Sequence, residues 1–218
     1  MKAKDRTRRA LRTLASSVGA LVGIYGIEHG IFELLQGNTP TEGLLIDAIG
    51  PAWEFWPRAT EPALSIFPTY FLSGLFAIPL GVIVAVWALL FIERKNGPLI
   101  LFILGMLLLL VGGGSPPLFT GTLACVAATR INQPMDWWRF RLSERTQSRL
   151  AKTWPWSLVS FFILSLVGVW TAIVGYPLAW FFDFDTMFII LMAVGNLSIL
   201  FVVLAILSAI AYDIRNTL

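Results

Sequence analysis

Apolar residues along this chain gather into long runs separated by short polar, glycine-rich or proline-rich breaks. A helix needs about 20 mainly apolar residues to cross a hydrocarbon core about 30 Å thick. The runs at about 14–36, 69–92, 156–176 and 187–212 meet that length. Two shorter stretches, 99–111 and 118–129, flank Gly112-Gly113-Gly114-Ser115-Pro116-Pro117. They read either as a helical hairpin turning at the far surface or as one broken helix whose unwound middle lies within the membrane.

Charge decides between these two readings, because short cytoplasmic loops carry an excess of Lys and Arg. Lys2, Lys4, Arg6, Arg8, Arg9 and Arg12 precede the first run, and Arg130, Arg139, Arg141, Arg145, Arg149 and Lys152 follow the 118–129 stretch. A hairpin puts both groups on one side and leaves only Arg58 outside, whereas a single crossing exports the second group. The expectation is therefore an all-α polytopic membrane helix bundle of about six transmembrane helices, with N and C termini cytoplasmic, residing in the plasma membrane. One membrane domain spans 1–218, with a basic tail at 1–13, an extracytoplasmic loop at 37–68 and a cytoplasmic basic interfacial segment at 131–155. The first run is too long, and too polar at Glu28 and His29, for a cleaved signal.

Within the long loop, Thr39-Pro40-Thr41-Glu42 fits a helix start ahead of Leu44, Leu45, Ile46, Ala48 and Ile49, which predicts a short outer surface helix. Thr60-Glu61-Pro62 gives a second start signal, and Trp53 and Trp56 suit the water–lipid boundary.

Composition agrees with a membrane chain: 57% hydrophobic and 13% charged residues, against roughly 25% charged in an ordinary soluble domain. With one cysteine, Cys125, no internal disulfide forms. The single histidine rules out a two-histidine haem site within the chain, and HExxH, GxxxxGK[ST] and GxSxG are all missing. No cofactor is expected, the balance leans away from an enzyme, and no nucleic-acid module is visible.

Chemistry concentrates on the first run. Gly19, Gly23, Gly26 and Gly30 lie along one line at about 100° per residue, and missing side chains let another helix approach. That line serves either packing within the chain or a homo-oligomer face. Beside it Tyr25, His29 and Glu33 follow i, i+4, i+8 spacing, while Glu28 projects from nearly the opposite side. A carboxylate one turn from an imidazole can hold the ring, so Glu28, His29, Glu33 and Tyr25 form a candidate proton or cation site. The alternative is a satisfied packing network, with Arg58, Asn196 or Ser198 as partners for Glu28.

Among the outer acids, Glu61, Asp183 and Asp185 are secondary candidates; their spacing names no metal, and an acidic face is also the ordinary complement of a basic inner side. The inner segment mixes Trp137, Trp138 and Trp154 with Arg139, Arg141, Arg145 and Arg149, a pattern suited to anionic lipid head groups. The leading expectation is a small binding or accessory membrane subunit with a membrane-protein partner. The alternative is a proton- or cation-coupled transporter or channel using the His/Glu site, with 112–117 as its gate.

Overall fold

The computed structural model describes residues 9–50 and 60–216. The tail cations before Arg9, together with Trp53, Trp56 and Arg58, lie outside the described residues. Among the described residues seven α-helices follow one another: α1 (Arg9–Leu35), α2 (Tyr70–Leu90), α3 (Gly97–Leu110), α4 (Thr122–Thr129), α5 (Asp136–Arg141), α6 (Glu144–Ile173) and α7 (Phe184–Asn216). Four are long and apolar enough to cross a bilayer: α1, α2, α6 and α7. Their outward faces carry side chains such as Ile83, Leu90, Ile163, Leu166, Ile189 and Leu200 in exposed positions. An apolar surface of that extent suits lipid rather than water.

α1 is the central helix, and glycine sets how closely its neighbours approach. A side chain at Gly23 would strike the Gly81 carbonyl, and one at Gly74 would strike the Gly30 carbonyl, so α1 and α2 cross antiparallel with backbones in contact. Gly19 packs on Ala88 and Leu101, and Gly26 on Leu108, which brings α3 against the same helix. Where apolar burial gives little net drive, such close contact supplies the attraction. Thr69 caps α2 by accepting from the Leu72 N–H, and Pro79 sits inside that helix.

Several contacts fix which ends share a side. The Arg12 guanidinium meets Glu93 at 2.8 Å, and Asn132 Nδ2 donates to the Glu93 carbonyl at 3.0 Å. The start of α1, the α2–α3 turn and the end of α4 therefore lie together. Asp213, near the end of α7, accepts from the backbone N–H groups of Ala10 and Leu11 at 3.1 and 3.0 Å. Trp154 of α6 packs on Tyr212 of α7, with ring centroids 5.9 Å apart. We call this the termini end. α3 and α4 consequently run out and back as a hairpin, joined through 111–116 and a π-helical turn at Pro117–Gly121. At 14 residues α3 is about 21 Å long, shorter than a hydrocarbon core.

The opposite end carries a small sheet where a surface helix was expected. β1 (Leu45–Ile49) pairs antiparallel with β2 (Glu61–Leu64), with a bulge between Asp47 and Ile49. The helix-start signals fail because their groups have longer-range partners: the Thr41 N–H bonds to the Pro68 carbonyl, and Pro40 bridges Thr69. Ile46, Ala48 and Ala63 form their own buried cluster on one face, a period of two that decides for strand. Thr60-Glu61-Pro62 likewise enters a strand rather than a helix. Gln36 at the end of α1 ties the sheet down, donating to the carbonyls of Asp47 (3.0 Å) and Ala48 (2.7 Å).

The basic segment is divided differently from the expectation. Arg139 and Arg141 lie on the short α5, while Arg145, Arg149 and Lys152 lie on the first turns of α6. Ser143 caps α6 by accepting from the Thr146 N–H, and the helix then continues through Pro155, so the second half of the basic segment and the apolar run from Trp156 share one helix.

Candidate functional site

His29 faces the sheet end of the bundle with 4% of its surface exposed. Its Nδ1 lies 3.0 Å from the Tyr25 carbonyl one turn earlier. Glu28 Oε2 is 3.2 Å from the same nitrogen, and Glu61 Oε2 is 3.1 Å from Nε2. One imidazole is thus held between two carboxylates, one from its own helix and one from the sheet. The Glu28 oxygens accept no hydrogen bond among the described residues, so the Nδ1–H bond is directed at the Tyr25 carbonyl and Glu28 sits beside it.

Strand geometry explains how Glu61 arrives. Successive side chains on a strand alternate faces, so Glu61 shares the face of Ala63, which is buried against β1. The bulge sets Glu61 opposite Ile49, the kind of irregularity that re-aims a side chain beside a site.

The third wall is the tip of the α3–α4 hairpin. The Gly112 N–H donates to the Leu64 carbonyl at 2.7 Å, and the Ile66 N–H donates to the Leu110 carbonyl at 3.0 Å, so the tip extends the edge of β2. Gly112 and Gly114 have φ of 98° and 71°, the left-handed region that favours glycine. Both also need their missing side chains. A Cβ on Gly112 would strike the Glu33 carboxylate and the Ser73 hydroxyl, and one on Gly114 would strike the His29 imidazole.

Glu33 is fully buried, and its carboxylate has no hydrogen-bond partner among the described residues. Ser73 lies beside it, but the single hydroxyl hydrogen is donated to the Val111 carbonyl at 3.0 Å. Helical spacing alone suggested Glu33 as the partner of His29. The structure gives that place to Glu28 and Glu61, because the Glu33 carboxylate fills the space left by Gly112. Glu28, expected on the opposite side, reaches round the helix to the Nδ1 edge of the ring.

Between these walls lies a cavity of about 130 Å³, lined by Tyr25, His29, Glu61, Pro62, Ser115, Pro116 and Val169. Tyr25 is 7% exposed, and its hydroxyl has no hydrogen-bond partner among the described residues. Towards the termini end α1 is sealed by fully buried Leu11, Leu14, Ala15 and Val18.

The remaining candidates are elsewhere. Asp183 caps α7, accepting from the Thr186 N–H at 2.9 Å, and the Thr186 hydroxyl and backbone together hold its carboxyl below the usual carboxylate range. Asp185 lies in the first turn of the same helix. Asn196 donates to the Met192 carbonyl and Ser198 pairs with Ser165, so neither meets Glu28. Gly19, Gly23, Gly26 and Gly30 all face α2 or α3. Sequence reasoning did not single out Ser73 or Tyr25's backbone carbonyl; both act through positions that only the folded chain reveals. Compared with known proteins, the chain matches no family model, no curated protein and no solved structure.

Proposed function

We propose that this chain is a proton- or cation-coupled membrane transporter whose coupling site is Glu28, His29 and Glu61. The observation that carries the reading is the imidazole held between two carboxylates at the head of a cavity, with the tip of the α3–α4 hairpin as its other wall. Irregular backbone is tolerated at membrane depth where protein shields it or it lines a cavity, and the hairpin tip does both here. In this reading the packed residues towards the termini end close that side, and access to the site is from the sheet side. By the charge rule the termini end is cytoplasmic, the α3–α4 hairpin completes six membrane segments, and the membrane is the plasma membrane.

The accessory-subunit reading drew on the glycine line, the long loop and the absence of catalytic motifs. The first two features are used within the chain, the glycines against α2 and α3 and the loop as the source of Glu61. In sealed vesicles loaded with a pH-sensitive or cation-sensitive dye, the purified chain should dissipate an imposed gradient. Glu61→Gln and His29→Ala should each slow that flux at least about tenfold, roughly 1.4 kcal/mol on the rate-limiting step. Equal flux in the wild type and both variants removes the site from the mechanism.

A further inference from the structure

The hydrogen bond to Tyr25 fixes more than the orientation of the ring. With Nδ1 donating to a backbone carbonyl at 3.0 Å, the neutral imidazole carries its lone pair on Nε2, and that nitrogen faces Glu61 Oε2 at 3.1 Å. Two lone pairs at that distance repel unless a positive charge lies between them. A histidine whose other nitrogen is anchored to a backbone carbonyl is the usual arrangement of a metal-ligating histidine.

Charge favours a divalent ion over a proton in that position. Glu28 and Glu61 together carry two negative charges beside a buried ring. A proton on the imidazole offsets one of them, whereas a divalent cation on a neutral imidazole offsets both, and uncompensated charge in a low-dielectric site is costly. Distances agree. Ligands at about 2.0–2.2 Å from a tetrahedral ion stand about 3.3–3.6 Å apart, close to the His29–Glu61 separation. One ring nitrogen and one oxygen from each glutamate already lie within 4.8 Å of one another, and the Glu28 oxygens are held by no hydrogen bond among the described residues. The unpartnered Tyr25 hydroxyl lines the same cavity, leaving a polar group and space for water at the open positions.

We propose that the site binds one divalent first-row transition metal ion, of the zinc or manganese type, on His29 Nε2 and Glu61, with the Glu28 carboxylate beside the ring supplying the second negative charge. Mixed imidazole and carboxylate donors suit such ions better than magnesium or calcium, which take oxygen ligands. The inference rests on the coupling-site reading above and names its ion. In the test, the detergent-purified full-length chain is titrated with Zn²⁺ by calorimetry and with Co²⁺ by visible absorption. One ion per chain is expected, with Co²⁺ bands typical of low coordination number. Glu61→Gln, which keeps the side chain's size, should weaken binding about 10- to 100-fold, and His29→Ala at least as much. Asp185→Asn, outside the cavity lining, should bind like the wild type. Failure of the wild type to bind, or undiminished binding in both site variants, overturns the metal assignment. If metal binding fails while proton flux still depends on His29, the coupling site stands with a proton as its ion; if both fail, both readings fall.

Discussion

Replacing Gly112 by alanine is expected to destabilise the protein by about 3 kcal/mol or more, the larger of two effects we anticipate at sites far apart in the bundle. Two costs add. A side chain at φ 98° is strained, at about 1–3 kcal/mol for such backbone conformations. Its Cβ would also collide with the Glu33 carboxylate and the Ser73 hydroxyl, so both buried side chains must shift and Ser73 must give up its bond to the Val111 carbonyl. Gly195→Ala is the matched control, since a Cβ there meets nothing within 4 Å. Thermal unfolding in detergent should show a large loss for Gly112→Ala and none for Gly195→Ala. Equal melting of the two variants would show that the tip does not press on Glu33.

At the other end of the molecule, Asp213→Ala should cost about 3 kcal/mol. The Asp213 carboxylate is 3% exposed and accepts from two N–H groups in the first turn of α1. Removing it leaves two buried donors unsatisfied, at about 1–3 kcal/mol each, and withdraws a negative charge from the positive end of a helix dipole. Asp213→Asn retains one acceptor and should fall between alanine and the wild type. The ordering Asp, Asn, Ala in melting temperature checks the account, and an asparagine variant as stable as the wild type would contradict the bidentate contact.

Both residues show what one sequence discloses. The helices α1, α2, α6 and α7 were visible because length and apolarity suffice to mark them; charge arithmetic favoured a hairpin of two full spans, and α3 and α4 do run out and back, but both are shorter than a full crossing. The sheet was not. Its pairing joins Leu45–Ile49 to Glu61–Leu64 across an intervening segment, while the local signal at Thr39, Pro40 and Glu42 was that of a helix start. Local capping chemistry lost to a longer-range pairing that buries Ile46, Ala48 and Ala63.

The site was legible in the same uneven way. Glu28 and His29 stood out because ionisable groups are costly in a membrane helix. Glu61 ranked only as a secondary candidate, since nothing local to it indicates that a strand will carry it to His29. Asp213 was passed over, although a lone acid in the last turns of an apolar helix opposes the helix dipole and so signals a partner elsewhere. The role of Gly112 and Gly114 needed the fold: glycine-rich runs are ordinary turns until something occupies the space their side chains would fill.

If the site works as proposed, a cation reaches His29 from the sheet end through the cavity beside the tip. Ser115 lines that cavity and is exposed, while the lone native thiol, Cys125, is buried. The direct measurement is labelling of Ser115→Cys, in a Cys125→Ala background, by a membrane-impermeant maleimide applied to either face of sealed vesicles. We predict reaction from one face only, slowed by Zn²⁺ or by the transported cation, with that protection lost in Glu61→Gln. Labelling from both faces, or a rate that no cation alters, would contradict the account.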